Sequence, residues 1–289
     1  MSGSWHIGVI GGSGLAAGIG LDAAQVIEVA SPFGLPSGAV TTGTLAGVRF
    51  TFLPRHGPGH AVPPGAVNYR ANIDVLKRCG VSDIVAVSAI GSLNSAMAPG
   101  HFVAVDQFID RTTSRENSFF GPGLVAHVSL ADPVCQRLSA GLAEAARLEE
   151  AVVHHGGCYI AIEGPQFSTR AESKLYQSWG ADVIGMTAMP EARLAREAEL
   201  PYGLIGMVTD YDSWRESDDG VDASEVMRVM ARNNESARAV LRRFAGMLPK
   251  RRAASPIDTA LDHAVMTAAD ARDPVLIAKL QAVAGRVLG

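Results

Sequence analysis

Short, unbroken apolar runs recur along this chain, and each stops abruptly at a glycine-rich or polar cluster. Ile7 to Ile10 runs into Gly11-Gly12-Ser13-Gly14, Val48 to Leu53 into Pro54-Arg55-His56-Gly57, and Ile84 to Val87 into Ser88-Ala89. Tyr159 to Ile162 runs into Glu163-Gly164-Pro165, and Tyr202 to Val208 into Thr209-Asp210. A strand wet on one face alternates apolar with polar residues, whereas a strand covered on both faces stays apolar throughout. The runs therefore read as strands of a sheet with helices on both faces. Helical spacing fills the gaps: about Val67 to Cys79, Leu138 to Leu148, Arg170 to Trp179, Glu191 to Glu199 and Ser224 to Met247. Phe102 to Phe108 and Val183 to Met186 read as further strands. The alternation predicts the α/β class, and no internal repeat is visible.

The 289 residues suffice for one large α/β domain. After residue 250 the pattern changes. Lys250-Arg251-Arg252 interrupts it and Ser255-Pro256 opens a new segment. Asp273-Pro274 reads as an N-cap followed by proline at the first helical position. Leu276, Leu280, Val283 and Val287 then keep helical spacing. Residues 251–289 are too few for a core of their own. They read as a helical extension packed on a domain of residues 1–250.

Composition removes several function classes. The formal net charge is −4, so no overall positive excess attracts a nucleic-acid backbone. Cys79, Cys135 and Cys158 are far apart and form no C-x-x-C, which argues against a disulfide framework or a cysteine zinc site. Residues 1–6 lack the basic and apolar regions of a signal peptide, and no apolar run is long enough to cross a bilayer. The expectation is a cytoplasmic protein with no membrane or nucleic-acid partner.

In open α/β sheets, ligands bind beyond the carboxyl ends of strands, so the clusters suggest one shared site. Gly11-Gly12-Ser13-Gly14 lets backbone N–H groups approach an anion; a tight structural turn is the competing reading. The spacing does not fit a dinucleotide fingerprint, because Ala17 stands where its last glycine belongs. Arg55 offers a planar fork for phosphate oxygens and His56 a further donor; a pairing of Arg55 with a surface carboxylate is the alternative. Ser88-Ala89 supplies a hydroxyl and a backbone N–H. Glu163 suits ribose hydroxyls or a salt bridge, and Phe167 suits a stacked base or the core. Asp210 and Asp212, two apart on an extended chain, would share a side. A carboxyl group there can recognise an amine or, when protonated, donate to a ring nitrogen. Oxygen ligands around them are too sparse for calcium, so no metal is expected.

Together these segments resemble the trimeric purine nucleoside phosphorylase family, most closely its methylthioadenosine phosphorylase branch. The resemblance runs from about Ile7 to Leu248. It is carried by residues 9–15, Arg55-His56-Gly57, Val67 to Asn72, Asp106 to Thr112, Ile162 to Phe167, Met186 to Glu191 and Thr209 to Trp214. It implies a single domain with a central mixed β-sheet flanked by helices, of the phosphorylase/hydrolase type. It also implies a homotrimer and no cofactor or metal, with inorganic phosphate as co-substrate. Ser13, Arg55, His56, Ser88, Ala89 and Thr187 match the family's phosphate positions, Ser13 and Ser88 standing where threonine is common. Met186 matches a ribose contact, and Phe167, Asp210 and Asp212 match the purine pocket. His60 and His127 match positions near the 5′ substituent, His127 from across a subunit boundary. Ser168 and Ala223 bear on specificity. Ile90 and Gly185 depart from the family pattern, which often has a smaller residue or Cys at the first and Asn at the second.

The implied reaction is phosphorolysis of S-methyl-5′-thioadenosine to adenine and 5-methylthioribose 1-phosphate, a step of purine salvage with Asp210 as the catalytic acid. Relatives acting on 6-oxopurines commonly carry Asn at the position of Asp210. A 6-oxopurine nucleoside or methylthioinosine phosphorylase is the near alternative, and a noncatalytic nucleoside-binding sensor the distant one.

Overall fold

The structure is a computed structural model that describes residues 3–12, 15, 18–215 and 223–289. Its strands are β1 (His6–Gly11), β2 (Asp22–Ile27), β3 (Val40–Leu45), β4 (Val48–Pro54), β5 (Asp83–Ser92), β6 (Phe102–Val105), β7 (Gln107–Asp110), β8 (Val153–His155), β9 (Cys158–Ala161), β10 (Val183–Gly185) and β11 (Tyr202–Asp210). Its helices are α1 (Tyr69–Arg78), α2 (Gln136–Leu148), α3 (Arg170–Ser178), α4 (Ala188–Glu197), α5 (Ala223–Met247), α6 (Pro274–Lys279) and α7 (Gln281–Leu288).

All these strands join one mixed sheet in the order β2-β3-β4-β1-β5-β10-β9-β7, with β11 branching from β5 and carrying β6 and β8. Strand β5 is the branch point. Its first half pairs in parallel with β1 and its last two residues pair antiparallel with β10, while β11 runs parallel beside most of its length. Successive side chains point to opposite faces of a sheet, and the core divides accordingly. Ile84, Ala86, Leu204 and Val208 join one cluster with α1, α4 and the C-terminal helix α7. Val85, Val87, Ile205 and Met207 join another with α2 and α5. The apolar runs lack alternation because both faces are covered, as the sequence predicts.

Local signals place the helix starts. The Asn68 side chain accepts from Ala71 N–H to cap α1, and Thr169 and Glu172 form a reciprocal capping box at α3. Asp273 caps α6 through Val275 N–H with Pro274 following it. In the tail, Leu261, Leu280, Val283 and Ala284 are buried in the cluster that also holds α1 and α4.

Two strand predictions need correction. Phe102 to Phe108 is two strands: Val105 pairs with Leu204 of β11, whereas Phe108 pairs with Tyr159 of β9. The break falls at Asp106, whose carboxylate accepts the Gly157 N–H at 3.0 Å and turns the chain from one partner to the other. The second correction concerns Ser88 and Ala89. They are not at a strand end, because β11 keeps pairing with β5 past them, opposite Gly206 and Met207.

Candidate active site

The site is strung along β5. Pairing of β1 with β5 stops at Ala86, which uncovers Ser88 and Ala89 on that side. Three residues further on, Gly91 meets Asp210 of β11. At about 3.3 Å per strand residue, the two points are roughly 10 Å apart.

The first point gathers four elements. Ser88 Oγ lies 3.2 Å from Thr187 Oγ1, just ahead of α4. The Arg55 N–H donates to Gly11 O at 2.9 Å, which locks the end of β4 to the start of the glycine loop. The Arg55 guanidinium is almost wholly buried, with 2% of its side-chain surface exposed. Its Nε and Nη2 donate to the Glu191 carboxylate at 2.8 and 2.9 Å, its Nη1 to Val87 O at 3.0 Å and its Nη2 also to Ile10 O at 3.3 Å. Burial opposes the charge, but Glu191 outweighs it and holds the guanidinium firmly protonated. Glu191 also accepts from the Tyr202 hydroxyl at 2.9 Å. The anticipated open fork is therefore closed on a carboxylate. One Nη1–H remains without a partner among the described residues, and the guanidinium ties β1, β4, β5 and α4 into one unit.

His56 follows directly. Its Nδ1 lies 2.8 Å from Val62 O, and its ring stacks on that of His60 with centroids 4.1 Å apart. Burial lowers its pKa from the usual value to about 4; the Val62 carbonyl opposes this, and Arg55, His60 and Arg115 add to it. His60 is exposed and adopts a positive φ of 59°.

The second point is a pair of buried carboxyl groups. A Cβ on Gly91 would lie 2.9 Å from Asp210 Oδ1 and 3.5 Å from Asp212 Cβ, so both residues flank β5 there. Asp210 accepts from the Thr209 hydroxyl at 2.6 Å and from the Asp212 N–H at 2.8 Å. Asp212 accepts from the Ser173 hydroxyl of α3 at 2.5 Å. Burial pushes both carboxyl groups up from the usual carboxylate range, and these hydrogen bonds only partly offset it. The chain between them is not extended, since Asp212 has φ 47°. That turn directs its carboxylate to the Ser173 hydroxyl of α3.

Glu163 makes a salt bridge, the second of the two expectations for it. It accepts from the backbone of Thr113 and Ser114 at 2.7 and 3.1 Å and from Arg115 Nε at 2.8 Å. Burial favours its neutral form, but these donors prevail and hold the carboxyl at about 2. Phe167 keeps 44% of its surface exposed, whereas Ser168 is buried and its Oγ has no partner among the described residues. Met186 is half-buried, and its carbonyl accepts from Arg115 at 2.6 Å. The His127 side chain is exposed; its N–H donates to Ala264 O of the tail, and no described contact joins it to the cluster. Ser13 lies outside the described residues, as does the side chain of Ala223, the first residue of α5. Among the described residues no group of three or more His, Cys, Asp or Glu could hold a metal ion.

The model of the phosphorylase superfamily matches residues 6–246. The chain belongs to that superfamily. It is 57% identical to the S-methyl-5′-thioadenosine phosphorylase of Cereibacter sphaeroides, over 98% of each chain. A methylthioadenosine phosphorylase from an antarctic soil metagenomic library superposes with a TM-score of 0.89 at 41% identity, covering 97% of this chain and 99% of the other. The Schistosoma mansoni methylthioadenosine phosphorylase, solved with adenine, superposes with a TM-score of 0.81 at 36% identity, covering 84% and 92%. Within the superfamily, the chain falls in the methylthioadenosine phosphorylase branch.

Membership makes the two departures from pattern interpretable, and each has a packing partner. A Cβ on Gly206 would lie 2.3 Å from Ile90 Cδ1, so the larger residue at 90 is accommodated by the missing side chain on the neighbouring strand. A Cβ on Gly185 would lie 2.2 Å from the Tyr159 hydroxyl, which also accepts the Thr187 N–H. Tyr159 fills the space that a side chain at 185 would need.

Two residues of consequence escape the sequence reading. Glu191 partners Arg55. Arg115, in the loop after β7, is equally buried and donates to Tyr69 Oη, Met186 O, Met189 O, Ile162 O and Glu163 O, at 3.1, 2.6, 2.7, 3.3 and 2.8 Å. It pins the ends of β9 and β10 to the starts of α1 and α4. Nothing in its local sequence sets it apart from a loop arginine.

Proposed function

We propose that this protein splits S-methyl-5′-thioadenosine with inorganic phosphate, giving adenine and 5-methylthioribose 1-phosphate. The observation that carries the reading is the spacing of two unlike poles on one strand. A donor-lined pole at Ser88, Thr187 and Arg55 stands about 10 Å from a buried acid pole at Asp210 and Asp212. That separation suits a ribose held with phosphate at one end and purine at the other. The methylthioadenosine phosphorylases to which the chain is similar support the substrate.

In this reading Ser13, His56, Ser88, Ala89, Thr187 and the remaining Arg55 N–H bind phosphate beneath C1′. Fixed donors need no reorganisation as the reaction proceeds. The C1′–N9 bond lengthens, positive charge develops on the ribose beside the phosphate, and negative charge develops on the purine. Asp210, whose carboxyl burial pushes toward its neutral form, donates a proton to N7, so adenine leaves neutral. Phosphate oxygen closes on C1′. Phe167 stacks on the base, Ser168 offers its buried hydroxyl to it, and Asp212 completes the pocket. Met186 lines the ribose, and His60, with His127 and Ala223, borders the 5′ group. His127 comes from a neighbouring copy in a homotrimer. No cofactor takes part.

The test is a panel of methylthioadenosine, methylthioinosine, adenosine and inosine, assayed for phosphate-dependent release of free base. Methylthioadenosine is expected to give the highest kcat/KM. Preferred cleavage of inosine or methylthioinosine would overturn the adenine assignment. Binding without any phosphate-dependent release would overturn catalysis altogether.

A further inference from the structure

Arg115 keeps only 2% of its side-chain surface exposed, and its hydrogen-bonding capacity is already spent. A guanidinium carries five N–H donors and no acceptor. Here Nε donates to Glu163 Oε1, Nη2 to Ile162 O and Glu163 O, and Nη1 to Met186 O, Met189 O and Tyr69 Oη. These six acceptors outnumber the donors, so no N–H is left for a phosphate or nucleoside oxygen. Arg55 is the contrast, since one of its Nη1–H groups has no partner among the described residues.

The carbonyls that Arg115 holds belong to two turns that carry the site. Met186 O and Met189 O bracket Thr187, whose Oγ1 lies 3.2 Å from Ser88 Oγ. Nη1 therefore grips the turn that bears the ribose contact Met186 and the phosphate contact Thr187. Ile162 O and Glu163 O stand at the head of the segment that runs through Gly164 to Phe167 and Ser168. Nη2 therefore grips the segment that bears the purine contacts. The two turns also touch, because the Met186 thioether occupies the space that a Cβ on Gly164 would need. A guanidinium is planar and rigid, so the two Nη groups fix the separation of the turns. Neutralising Glu163 does not by itself call for this arrangement. A lysine would supply the same charge, but as a compact point charge it could not grip both turns in one plane.

We propose that Arg115 is a positioning residue for the reaction. Without touching either substrate, it sets the register between the turn at Met186 and Thr187 and the segment from Glu163 to Ser168. It thereby aligns bound phosphate with the C1′–N9 bond. This rests on the phosphorolysis reading above. Each turn keeps its own contact groups when Arg115 is lost, so phosphate and nucleoside still bind. What is lost is the approach of phosphate to C1′, where a misplacement of about 1 Å costs about 10²-fold in rate.

The test compares steady-state kinetics on methylthioadenosine for the native enzyme, Arg115→Lys and Arg115→Met. Arg115→Lys keeps the charge opposite Glu163 without the fork, and Arg115→Met fills the space and donates nothing. Thermal unfolding of each is followed in parallel, and assays are run well below its transition. Both variants are expected to lose about 10²-fold in kcat. The KM for methylthioadenosine, and phosphate affinity read by calorimetry, are expected to stay near native. Native kcat in Arg115→Lys would show that charge alone matters and overturn the inference, as would native kcat in Arg115→Met. A raised KM with kcat intact would mark a binding role and overturn it equally. If neither variant folds, Arg115 serves the fold and not the alignment, and the inference is overturned. A native enzyme that releases no base with phosphate ends the phosphorolysis reading itself, before any variant is compared, and this inference falls with it.

Discussion

The two ends of β5 solve opposite electrostatic problems. At Ser88 the chain buries a cation and neutralises it at once, locking Arg55 onto Glu191. At Gly91 it buries two carboxyl groups that, among the described residues, take hydroxyl and backbone donors from Ser173, Thr209, Asp212 and Ser213. The difference matches the order in which charge appears in the proposed reaction. Phosphate arrives fully charged and needs donors already in place. The purine becomes charged only as its bond breaks, and a group that acts at that moment raises kcat. A carboxyl group that burial pushes toward its neutral form is such a reserve, whereas a carboxylate neutralised by arginine would be inert.

The largest expected effect breaks the acid pole alone. Asp210→Ala is expected to lower turnover of methylthioadenosine by about 10²–10⁴-fold, the range for losing a general acid. Phosphate affinity, read by calorimetry, should stay near that of the native enzyme. Near-native turnover would remove Asp210 from the mechanism. The next effect breaks the other pole. Glu191→Gln leaves the Arg55 charge buried without its counter-ion, a change that typically costs about 3–5 kcal/mol. Denaturant unfolding checks this, and phosphate affinity should fall with it. Native stability together with native phosphate affinity would show that the pair does not organise that pole.

The poles were not equally legible in the sequence. The two-faced sheet and its helices could be read from apolar periodicity, because burial on both faces imposes a pattern on neighbouring residues. Asp210 and the Ser88-Ala89 step were visible as polar breaks in such runs. The partners of Arg55 and Glu163 were not. Glu191 lies 136 residues from Arg55 and Arg115 lies 48 from Glu163, and chain spacing carries no trace of a contact made through the fold. The same limit hid the break at Asp106: a run of apolar residues looks continuous whether its halves pair with one strand or with two. The turn at Asp212 was missed for a related reason. Its positive φ is held by a hydrogen bond to Asp210 and by Ser173 on a distant helix.

The smallest expected effect sharpens the contrast, because it concerns stability without loss of either pole. Burial raises the Asp210 pKa above its ordinary value. A group whose pKa is higher in the folded state stabilises the fold fully below its unfolded pKa, and that contribution is lost as pH rises through the folded value. Near neutrality the Asp210 carboxylate therefore weighs against folding. Asn in its place carries no charge, and the local hydrogen bonds can accommodate it. The Thr209 hydroxyl also lies 3.2 Å from Ile90 O, so it can donate there and accept from the amide Nδ2, while Oδ1 keeps the Asp212 N–H. Asp210→Asn is thus expected to stabilise the protein near pH 7 by on the order of 1 kcal/mol. The gain should shrink as pH falls below the ordinary aspartate value of about 3.9. Thermal unfolding of both proteins across pH reads this directly. The same variant should lose activity on adenine nucleosides and shift toward inosine, since an amide donates to O6 at any pH but cannot pass a proton to N7. A stabilised variant with unchanged substrate preference would separate the two roles and leave the acid pole as a feature of burial alone.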